Sequence, residues 1–256
     1  MKATFKIFQL AILLIFPGLV LAQNSDDLYE ELASIDLTHI INGKSISDDE
    51  GNKIVRREPL GYIGWDYRRF RIHFTSFTRD KNDAYVYNVK GKTKVKNNVC
   101  DFTGTIKVIS ASYNAADFNE KVVNVKHGSI TCAVTFYEDE SQSNAGIISG
   151  ELITDVYFDE KGKLQYNALW FGSDGFYNNQ FIGKWTGYKK GRTLKCNWGD
   201  FRIPESNGLD VGAGEFSVAE QYINSGWESY YYSYCCAADI QRTIDARKEE
   251  AMTWWE

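Results

Sequence analysis

The chain has 256 residues, of which 43% are hydrophobic and 15% aromatic, so its composition excludes a wholly disordered protein. The formal net charge is −5, and it becomes −7 without residues 1–22, which hold two lysines and no acidic residue. An acidic protein is poorly suited to bind nucleic acid or an anionic membrane, because both require a basic surface.

The N-terminus has the pattern of a secretory signal peptide. Lys2 and Lys6 give it a positive start, residues 10–21 form a largely apolar run, and Val-Leu-Ala at residues 20–22 offers a cleavage site. The run is too short to cross a bilayer, which needs about 20 apolar residues. We therefore expect residues 1–22 to be removed and the mature protein to be exported to the periplasm or the extracellular space, with no membrane span.

The segment that follows, residues 23–58, is expected to form an N-terminal helix and a linker. Residues 25–41 have the apolar spacing of a helix, and Ser25 can cap it. Residues 42–58 are mostly polar and carry no periodic pattern, which predicts a linker.

Hydrophobic residues alternate with polar ones across residues 59–204, which predicts an antiparallel β domain. Phe70, Ile72 and Phe74, for example, alternate with polar residues as in a half-buried strand. A chain of strands joined by short turns is a meander, and a meander closes into an up-and-down barrel or folds into a two-sheet sandwich. The predicted turns lie at residues 90–92, 126–128, 159–162 and 189–191.

Glycines recur inside the predicted strands, in the pattern apolar-x-Gly-x-apolar, at residues 102–106, 148–152 and 181–185. A glycine weakens a strand unless the strand must bend sharply, as at a barrel corner. The pattern favours a barrel and leaves the two-sheet sandwich as the alternative. The predicted fold class is therefore mainly β, an antiparallel meander with N-terminal and C-terminal helices.

Residues 205–256 are expected to form a glycine-rich loop followed by a helical tail. Ser-Val-Ala-Glu at residues 217–220 has the form of a capping box, which predicts a short helix that ends near Gly226. The remaining residues are rich in tyrosine and later have helical spacing. We expect the terminal Trp254 and Trp255 to pack on the protein's own surface, because water is an unfavourable environment for two adjacent tryptophans.

The chain contains five cysteines, an odd number for an exported protein. Cys100, Cys132 and Cys196 are each in phase with apolar neighbours, which fits either a disulfide between two of them or buried thiols that act as small hydrophobes. Cys235 and Cys236 are adjacent, and adjacent cysteines rarely bridge each other because the geometry is strained. The connectivity among the five stays open.

No metal, cofactor or catalytic site is predicted from the sequence. The three histidines are isolated, and no pair of cysteines or histidines has the spacing of metal ligands. Residues 210–215 hold two carboxylates among glycines, a pattern more typical of an ordinary turn than of a calcium loop. The chain has no G-x-S-x-G motif, and Asp200, Asp210 and Glu215 are candidate hydrolase carboxylates only against the alternative of solvated loop charges. Asp200 is also expected to pair with Arg202 across a turn.

Aromatic residues around the last hairpin indicate a binding site. Trp170 and Tyr188 are expected to line a barrel mouth or to stack on a sugar. Trp185 and Trp198 are in phase with apolar neighbours and are expected in the core. The candidate ligand-binding residues are Trp170, Tyr188, Asp200, Arg202, Asp210 and Glu215.

Four segments carry a family resemblance: KVKNNVCDFTGTI at residues 94–106, GKWTGYKKG at 183–191, KCNWGDFRIP at 195–204 and LDVGAGEFS at 209–217. Over residues 61–227 the chain resembles a family of uncharacterised exported proteins of Bacteroidota. The resemblance implies export and gives neither an activity nor a catalytic residue. Gly-Lys-Trp at residues 183–185 also resembles the G-x-W strand of lipocalin-like barrels.

Three functions are open at this point. The first is a non-enzymatic binding module, in which the loop 199–216 and nearby aromatic residues meet a small molecule or a glycan. The second is a structural or interaction protein of the cell envelope that docks through residues 227–256. The third, a hydrolase, has the least support, and we expect no enzymatic activity. A β domain filled by Phe102, Trp185 and Trp198 favours the structural function, and a hollow one favours binding.

Overall fold

A computed structural model describes residues 27–47, 52–113, 126–168, 178–189, 191–238 and 240–256. The predicted signal peptide (residues 1–22), the predicted capping residue Ser25 and the candidate Trp170 lie outside the described residues. None of the helices within them has the length and hydrophobicity needed to cross a bilayer.

Two short helices, α1 (Leu28–Leu32) and α2 (Thr38–Ile41), stand where the sequence predicts one. The side chain of Asp27 caps α1 by accepting a hydrogen bond from a backbone N–H at 3.0 Å. The side chain of Asp36 accepts from the backbone N–H of Thr38 at 2.9 Å. Local bonds of this kind compete with a continuous helix, and α2 therefore starts anew after Asp36.

Part of the predicted linker is a hairpin. β1 (Ser45–Ser47) and β2 (Lys53–Val55) pair antiparallel, with Ile46 opposite Ile54. Ile46 is buried and Ile54 packs against the barrel core. The linker prediction over residues 42–58 is wrong here, because strands of three residues are too short to give a recognisable alternation.

The centre of the molecule is a closed antiparallel barrel of eight strands. The strands of the barrel are β3 (Leu60–Ile63), β4 (Arg68–Arg79), β5 (Val86–Val95), β6 (Asn98–Tyr113), β7 (His127–Glu138), β8 (Gly146–Phe158), β10 (Asn178–Gly187) and β11 (Thr193–Asp200), while the short β9 (Leu164–Tyr166) pairs with the end of β8. β10 pairs with both β8 and β11, and β11 pairs with β3, so that the meander closes on itself. The predicted barrel is confirmed, and the two-sheet sandwich is not formed.

The turn predicted at residues 90–92 is wrong, because β5 runs through it without a break. The chain reverses later, at Lys96, whose φ is 55°. Gly91 belongs to the crowded barrel wall instead. A Cβ on it would lie 2.2 Å from the carbonyl oxygen of His73 and 2.5 Å from the ring of Phe102. Glycine is needed there to admit a ring, a role that the sequence pattern does not distinguish from a turn.

The glycines of the apolar-x-Gly-x-apolar pattern do lie where the barrel wall is crowded. A Cβ on Gly104 would lie 2.1 Å from the carbonyl oxygen of Thr135 in the neighbouring strand. Gly150 and Gly183 face each other across β8 and β10, and a Cβ on Gly183 would lie 2.4 Å from the ring of Phe181. These positions admit no larger side chain without movement of the backbone or of an interior ring.

Aromatic rings fill the barrel interior. Trp198 stacks on Phe181 with 3.6 Å between ring centroids, and its centroid lies 5.9 Å from that of Phe70 and 6.4 Å from that of Phe136. All four side chains are buried. The apolar residues of α1 and α2 belong to the same core and cover one end of the barrel. The interior is thus a packed core.

The chain after β11 packs on the outer face of β3. It contains two 3-10 helices (Asn207–Leu209 and Glu220–Ser225) and the helices α3 (Glu228–Tyr234) and α4 (Gln241–Glu250). These helices confirm the predicted helical tail. A second apolar cluster joins the chain to the barrel wall, and its buried members are Tyr62, Ile203, Leu209, Phe216, Val218 and Trp227.

The short helix predicted after residues 217–220 begins at Glu220 and has no side-chain cap, so the capping-box prediction is wrong. Its end is as predicted. Gly226 terminates it in the left-handed region with φ 94°, a conformation that glycine adopts without strain.

All five cysteines are free thiols. Cys100, Cys132 and Cys196 are buried, and burial raises the pKa of the Cys132 thiol to about 12. Of the two alternatives, the structure has buried thiols that pack as small hydrophobes. Cys235 and Cys236 are exposed.

Candidate functional site

An open groove of about 850 Å³ lies outside the barrel, against β3 and β4. Its other walls are residues 54–55 and 57–60, the loop between residues 201 and 216, the helices α3 and α4, and the residues that follow α4. The groove therefore exists because the C-terminal part of the chain folds back over the barrel wall.

The polar side of β4 forms the base of the groove. Phe70 and Ile72 point into the barrel core, so the alternation of a strand directs Arg69 and Arg71 outward. Glu250 at the end of α4 accepts hydrogen bonds from both terminal nitrogens of Arg69 at 2.6 Å and from Arg71 at 3.0 Å. This bidentate ion pair holds α4 against the barrel.

Hydrogen-bond donors surround the carboxylate of Glu250. Ser229 also donates to its carboxylate at 2.5 Å, and the guanidinium of Arg69 lies 5.2 Å from the ring centroid of Trp227. The bonds and charges of Arg69 and Arg71 outweigh the effect of burial and lower the pKa of Glu250 to about 2. Glu250 is therefore ionised at every physiological pH and is fully engaged by protein donors.

The C-terminal tryptophans form one end of the groove. Trp255 stacks on the imidazole of His73, with 3.8 Å between centroids and 4° between planes, and Trp254 meets His73 edge-on. His73 Nδ1 lies 3.0 Å from the carboxylate of Glu58, whose pKa is raised by partial burial against the opposing effect of His73. The prediction that Trp254 and Trp255 pack on the protein's own surface is confirmed.

The lining of the groove has more cations than anions. Five arginines and three glutamates contribute to it. Arg69 and Arg71 share Glu250, and Arg202 pairs with Asp210 at 2.7 Å. The remaining two arginines are Arg57 and Arg247.

Arg57 and Arg247 form no ion pair with any carboxylate of the described residues. Arg57 instead donates to the hydroxyl of Tyr234, and Arg247 donates through Nε to the carbonyl oxygen of Ser233 at 3.0 Å. Both guanidinium groups are thus anchored on consecutive residues at the end of α3. They make this part of the groove electropositive in a protein whose net charge is −5.

Two of the six residues predicted to bind a ligand, Arg202 and Glu215, line the groove. Asp210 lies behind them and braces the loop. Its Oδ2 accepts from Arg202, and its Oδ1 accepts from the backbone N–H groups of Gly212 and Ser217 at 2.9 and 3.0 Å. Trp170, as noted, lies outside the described residues.

Asp200 lies apart from the groove, in a buried polar cluster at the end of the barrel that α1 and α2 cover. Its Oδ2 is 2.8 Å from Arg56 and accepts from Tyr166 at 2.9 Å and from Asn179 at 2.8 Å. Its Oδ1 has no hydrogen-bond partner among the described residues. Arg56 also donates to the carbonyl oxygens of residues 40 and 43, so the cluster ties the N-terminal segment to the barrel.

The predicted pair between Asp200 and Arg202 is wrong. Phe201, which separates them, has φ 63°, and this left-handed residue turns the chain sharply at the end of β11. Asp200 therefore pairs with Arg56 inside the barrel end, while Arg202 pairs with Asp210 at the groove.

Tyr188 lies at the opposite end of the barrel, where its hydroxyl donates to the carbonyl oxygen of Glu138 at 3.0 Å. The carboxylate of Glu138 is buried and accepts from the indole N–H of Trp185 at 2.8 Å, the backbone N–H of Gly146 at 2.9 Å and the hydroxyl of Thr93. Burial raises the pKa of Glu138. These contacts place Tyr188 against the turn between β7 and β8, away from the groove.

Sequence reasoning missed four of the five arginines of the groove. Arg57 falls in a predicted linker, Arg71 on the polar side of a predicted strand and Arg247 in a predicted helix. The one available signal was the row of basic residues at positions 69, 71 and 73, which a solvated strand face explains equally well. Their meeting with residues 57 and 247 depends on the tertiary fold.

Comparison with known proteins gives no match to any family model, any curated protein or any solved structure. The resemblances to exported Bacteroidota proteins and to lipocalin-like barrels therefore stay predictions.

Proposed function

We propose that this protein is a non-enzymatic binding module that holds a small molecule or a glycan in the groove outside β3 and β4. The observation that carries the proposal is the groove itself, an open space of about 850 Å³ lined by aromatic rings and arginines. Small-molecule sites typically measure about 300 to 1,000 Å³ and combine apolar walls with a few polar groups. Export of the mature protein is part of the proposal, on the strength of residues 1–22.

The barrel interior does not serve as the site in this proposal. Phe102 and Trp198 are buried in the core, and Trp185 packs against it from one end. This is the filled β domain expected of a structural protein, so the binding function depends entirely on the outer groove.

Two of the three carboxylates that line the groove, Glu250 and Glu58, favour binding over hydrolysis. Glu250 is engaged by two arginines and a serine, and Glu58 is engaged by His73. Asp200 and Asp210, two of the three candidate hydrolase residues, are likewise held in ion pairs. A general acid or base needs a free proton or lone pair within reach of the substrate.

The test blocks the groove and follows binding. Ala251 is exposed and lines the groove, so Ala251→Trp fills part of it without entering the core. A glycan and lipid array, followed by titration with tryptophan fluorescence, is expected to find a ligand for the wild type that Ala251→Trp loses at least tenfold. Ala237→Trp, at an exposed position outside the groove, is the matched control and keeps wild-type affinity. Absence of any ligand, or a ligand that Ala251→Trp binds normally, overturns the proposal.

A second candidate, a structural or interaction protein of the cell envelope, is favoured by the filled interior. In this function α3 and α4 form the docking element, which Glu250 and Arg69 fix to the barrel. Deletion of residues 227–256 should then abolish cross-linking to an envelope partner in cells, while the β signal in circular dichroism is retained. Glu250→Ala, which loosens the helices without removing them, should weaken the same cross-link. An unchanged cross-link in the deletion variant eliminates this function.

A further inference from the structure

We infer that the ligand of the groove is a small anion with an apolar body, and that Arg57 and Arg247 hold its acidic group. The inference rests on the proposed function and names the chemical class of the ligand. The acidic group is a carboxylate, sulfonate, sulfate or phosphate, each of which matches the donor fork of a guanidinium.

The arginines that line the groove differ in whether they are paired with a carboxylate. Arg69 and Arg71 share the carboxylate of Glu250, and Arg202 is paired with Asp210. Arg57 and Arg247 have no carboxylate within ion-pair distance among the described residues, and both side chains lie on exposed residues. They are the lining arginines without a carboxylate partner among the described residues.

Hydrogen bonds to α3 hold the side chains of Arg57 and Arg247 in place. Arg57 contacts the hydroxyl of Tyr234 and Arg247 contacts the carbonyl oxygen of Ser233, so consecutive residues of α3 fix both side chains. Each contact uses one nitrogen of the guanidinium, and the other N–H groups have no carboxylate partner among the described residues. Both guanidinium groups line the groove, where they can donate to the acidic group of a ligand.

The glutamates that line the groove also affect where an anionic ligand can bind. Glu215 is the lining carboxylate with no ion pair among the described residues, and it lies on the loop side of the groove. It repels an anion from the loop and leaves the side of α3 and α4 as the favourable position. Glu58 is bound to His73 and stays on the side of the C-terminal tryptophans.

Exposed apolar side chains form part of the groove lining. Val55, Tyr234 and Met252 line the groove and are 77%, 50% and 62% exposed. Trp254, which is half-buried, adds aromatic surface to the groove. Exposed apolar side chains that cluster in one groove are typical of a binding surface, and an apolar body on the ligand removes them from water. A purely polar anion leaves them exposed.

The experiment uses two fluorescent probes that differ in one group: anilinonaphthalene sulfonate and its neutral parent, N-phenylnaphthylamine. The full mature chain is expected to bind the sulfonate about tenfold more tightly than the neutral probe, the size of one or two charge-assisted hydrogen bonds. Added salt should weaken binding of the sulfonate and leave binding of the neutral probe unchanged.

The double variant Arg57→Gln/Arg247→Gln should raise the Kd of the sulfonate about tenfold and leave that of the neutral probe unchanged. Arg192→Gln, at an exposed arginine of the turn between β10 and β11, controls for the loss of a positive charge away from the groove and should change neither affinity. Circular dichroism checks that each variant is folded. A double variant that binds the sulfonate as tightly as the wild type overturns the inference.

Two further results separate the inference from the proposed function. If both probes bind equally and Ala251→Trp weakens both, the groove binds ligands and the anionic class is wrong. If Ala251→Trp weakens neither, the groove is not the site and both proposals fail. Displacement of the sulfonate by decanoate but not by galacturonate supports the apolar body, and the reverse result overturns that half of the inference.

Discussion

The barrel interior and the outer groove each contain a largely buried glutamate, and they stabilise it in opposite ways. Glu138, inside the barrel, accepts hydrogen bonds from Trp185, Gly146 and Thr93 and has no cation within ion-pair distance among the described residues. Its pKa is raised by burial. Glu250, at the groove, is bound by two arginines, and its pKa is lowered to about 2.

The difference shows how the two regions are built. Among the described residues of the interior, aromatic rings pack against one another and the carboxylate of Glu138 meets neutral donors. In the groove, arginines outnumber glutamates, and two of them donate to neutral groups and form no ion pair with the described carboxylates. The first region is a packed core, and the second contains two arginines without a carboxylate partner among the described residues. The three predictions that follow test this contrast.

The largest expected effect is in the interior. Phe181→Ala removes a buried ring that stacks on Trp198 at 3.6 Å and leaves a cavity between β8 and β11. We expect a loss of about 3 to 5 kcal/mol in the free energy of unfolding, measured by urea denaturation. Trp255→Ala, which removes a partly exposed ring stacked on His73, should cost about 1 kcal/mol. Equal losses from the two variants contradict a packed interior.

The second prediction concerns Glu250 and acid. Its pKa falls from the usual 4.5 in the unfolded chain to about 2 in the folded protein. The unfolded state therefore binds the proton first, and the stability from Glu250 is present above pH 4.5 and lost as the pH falls towards 2. At 1.36 kcal/mol per pKa unit the contribution is about 3 kcal/mol.

Glu250→Gln should remove that stability at neutral pH and flatten the pH dependence between 4.5 and 2. The measurement is urea denaturation across this range, with Glu249→Gln as the control at an exposed neighbouring position. A wild-type curve that is flat over the window, or a control that behaves like Glu250→Gln, removes the ion pair as the link between α4 and the barrel.

The barrel could be predicted from the sequence because its signals are local. Alternation along β4 and β8 and the glycines at positions 104, 150 and 183 all act within a few residues of the chain. The errors arose where a local pattern has two meanings. Gly91 between two lysines has the form of a turn, yet it makes room for a ring in the middle of β5.

The groove could not be predicted in the same way. The pair between Arg69 and Glu250 joins residues 181 positions apart, and Arg57 meets Tyr234 across 177 positions. No periodicity connects such residues, because their contact depends on how α3 and α4 return to the barrel. Arg202 and Glu215 were found because they lie on the loop that immediately follows the barrel, where the alternation ends.

The smallest predicted effect concerns Glu138. Its pKa is raised in the folded protein, so its contribution is fully present below the unfolded value of 4.5 and is lost as the pH rises through the folded pKa. This slope has the opposite sign to that of Glu250. Glu138→Gln keeps one acceptor oxygen for Trp185 and cannot ionise, so it should gain stability relative to the wild type as the pH rises above 4.5.

Glu138→Ala separates the charge of this residue from its hydrogen bonds. It leaves the N–H groups of Trp185 and Gly146 and the hydroxyl of Thr93 without their acceptor, and it should cost about 2 kcal/mol at pH 4. The difference between the wild-type and Glu138→Gln unfolding free energies, measured from pH 4 to pH 8, gives the sign directly. A difference that does not change with pH, or that favours the wild type at high pH, means that a cation reaches Glu138 after all. The interior and the groove would then stabilise their carboxylates by the same means, and the contrast between the two regions would fail.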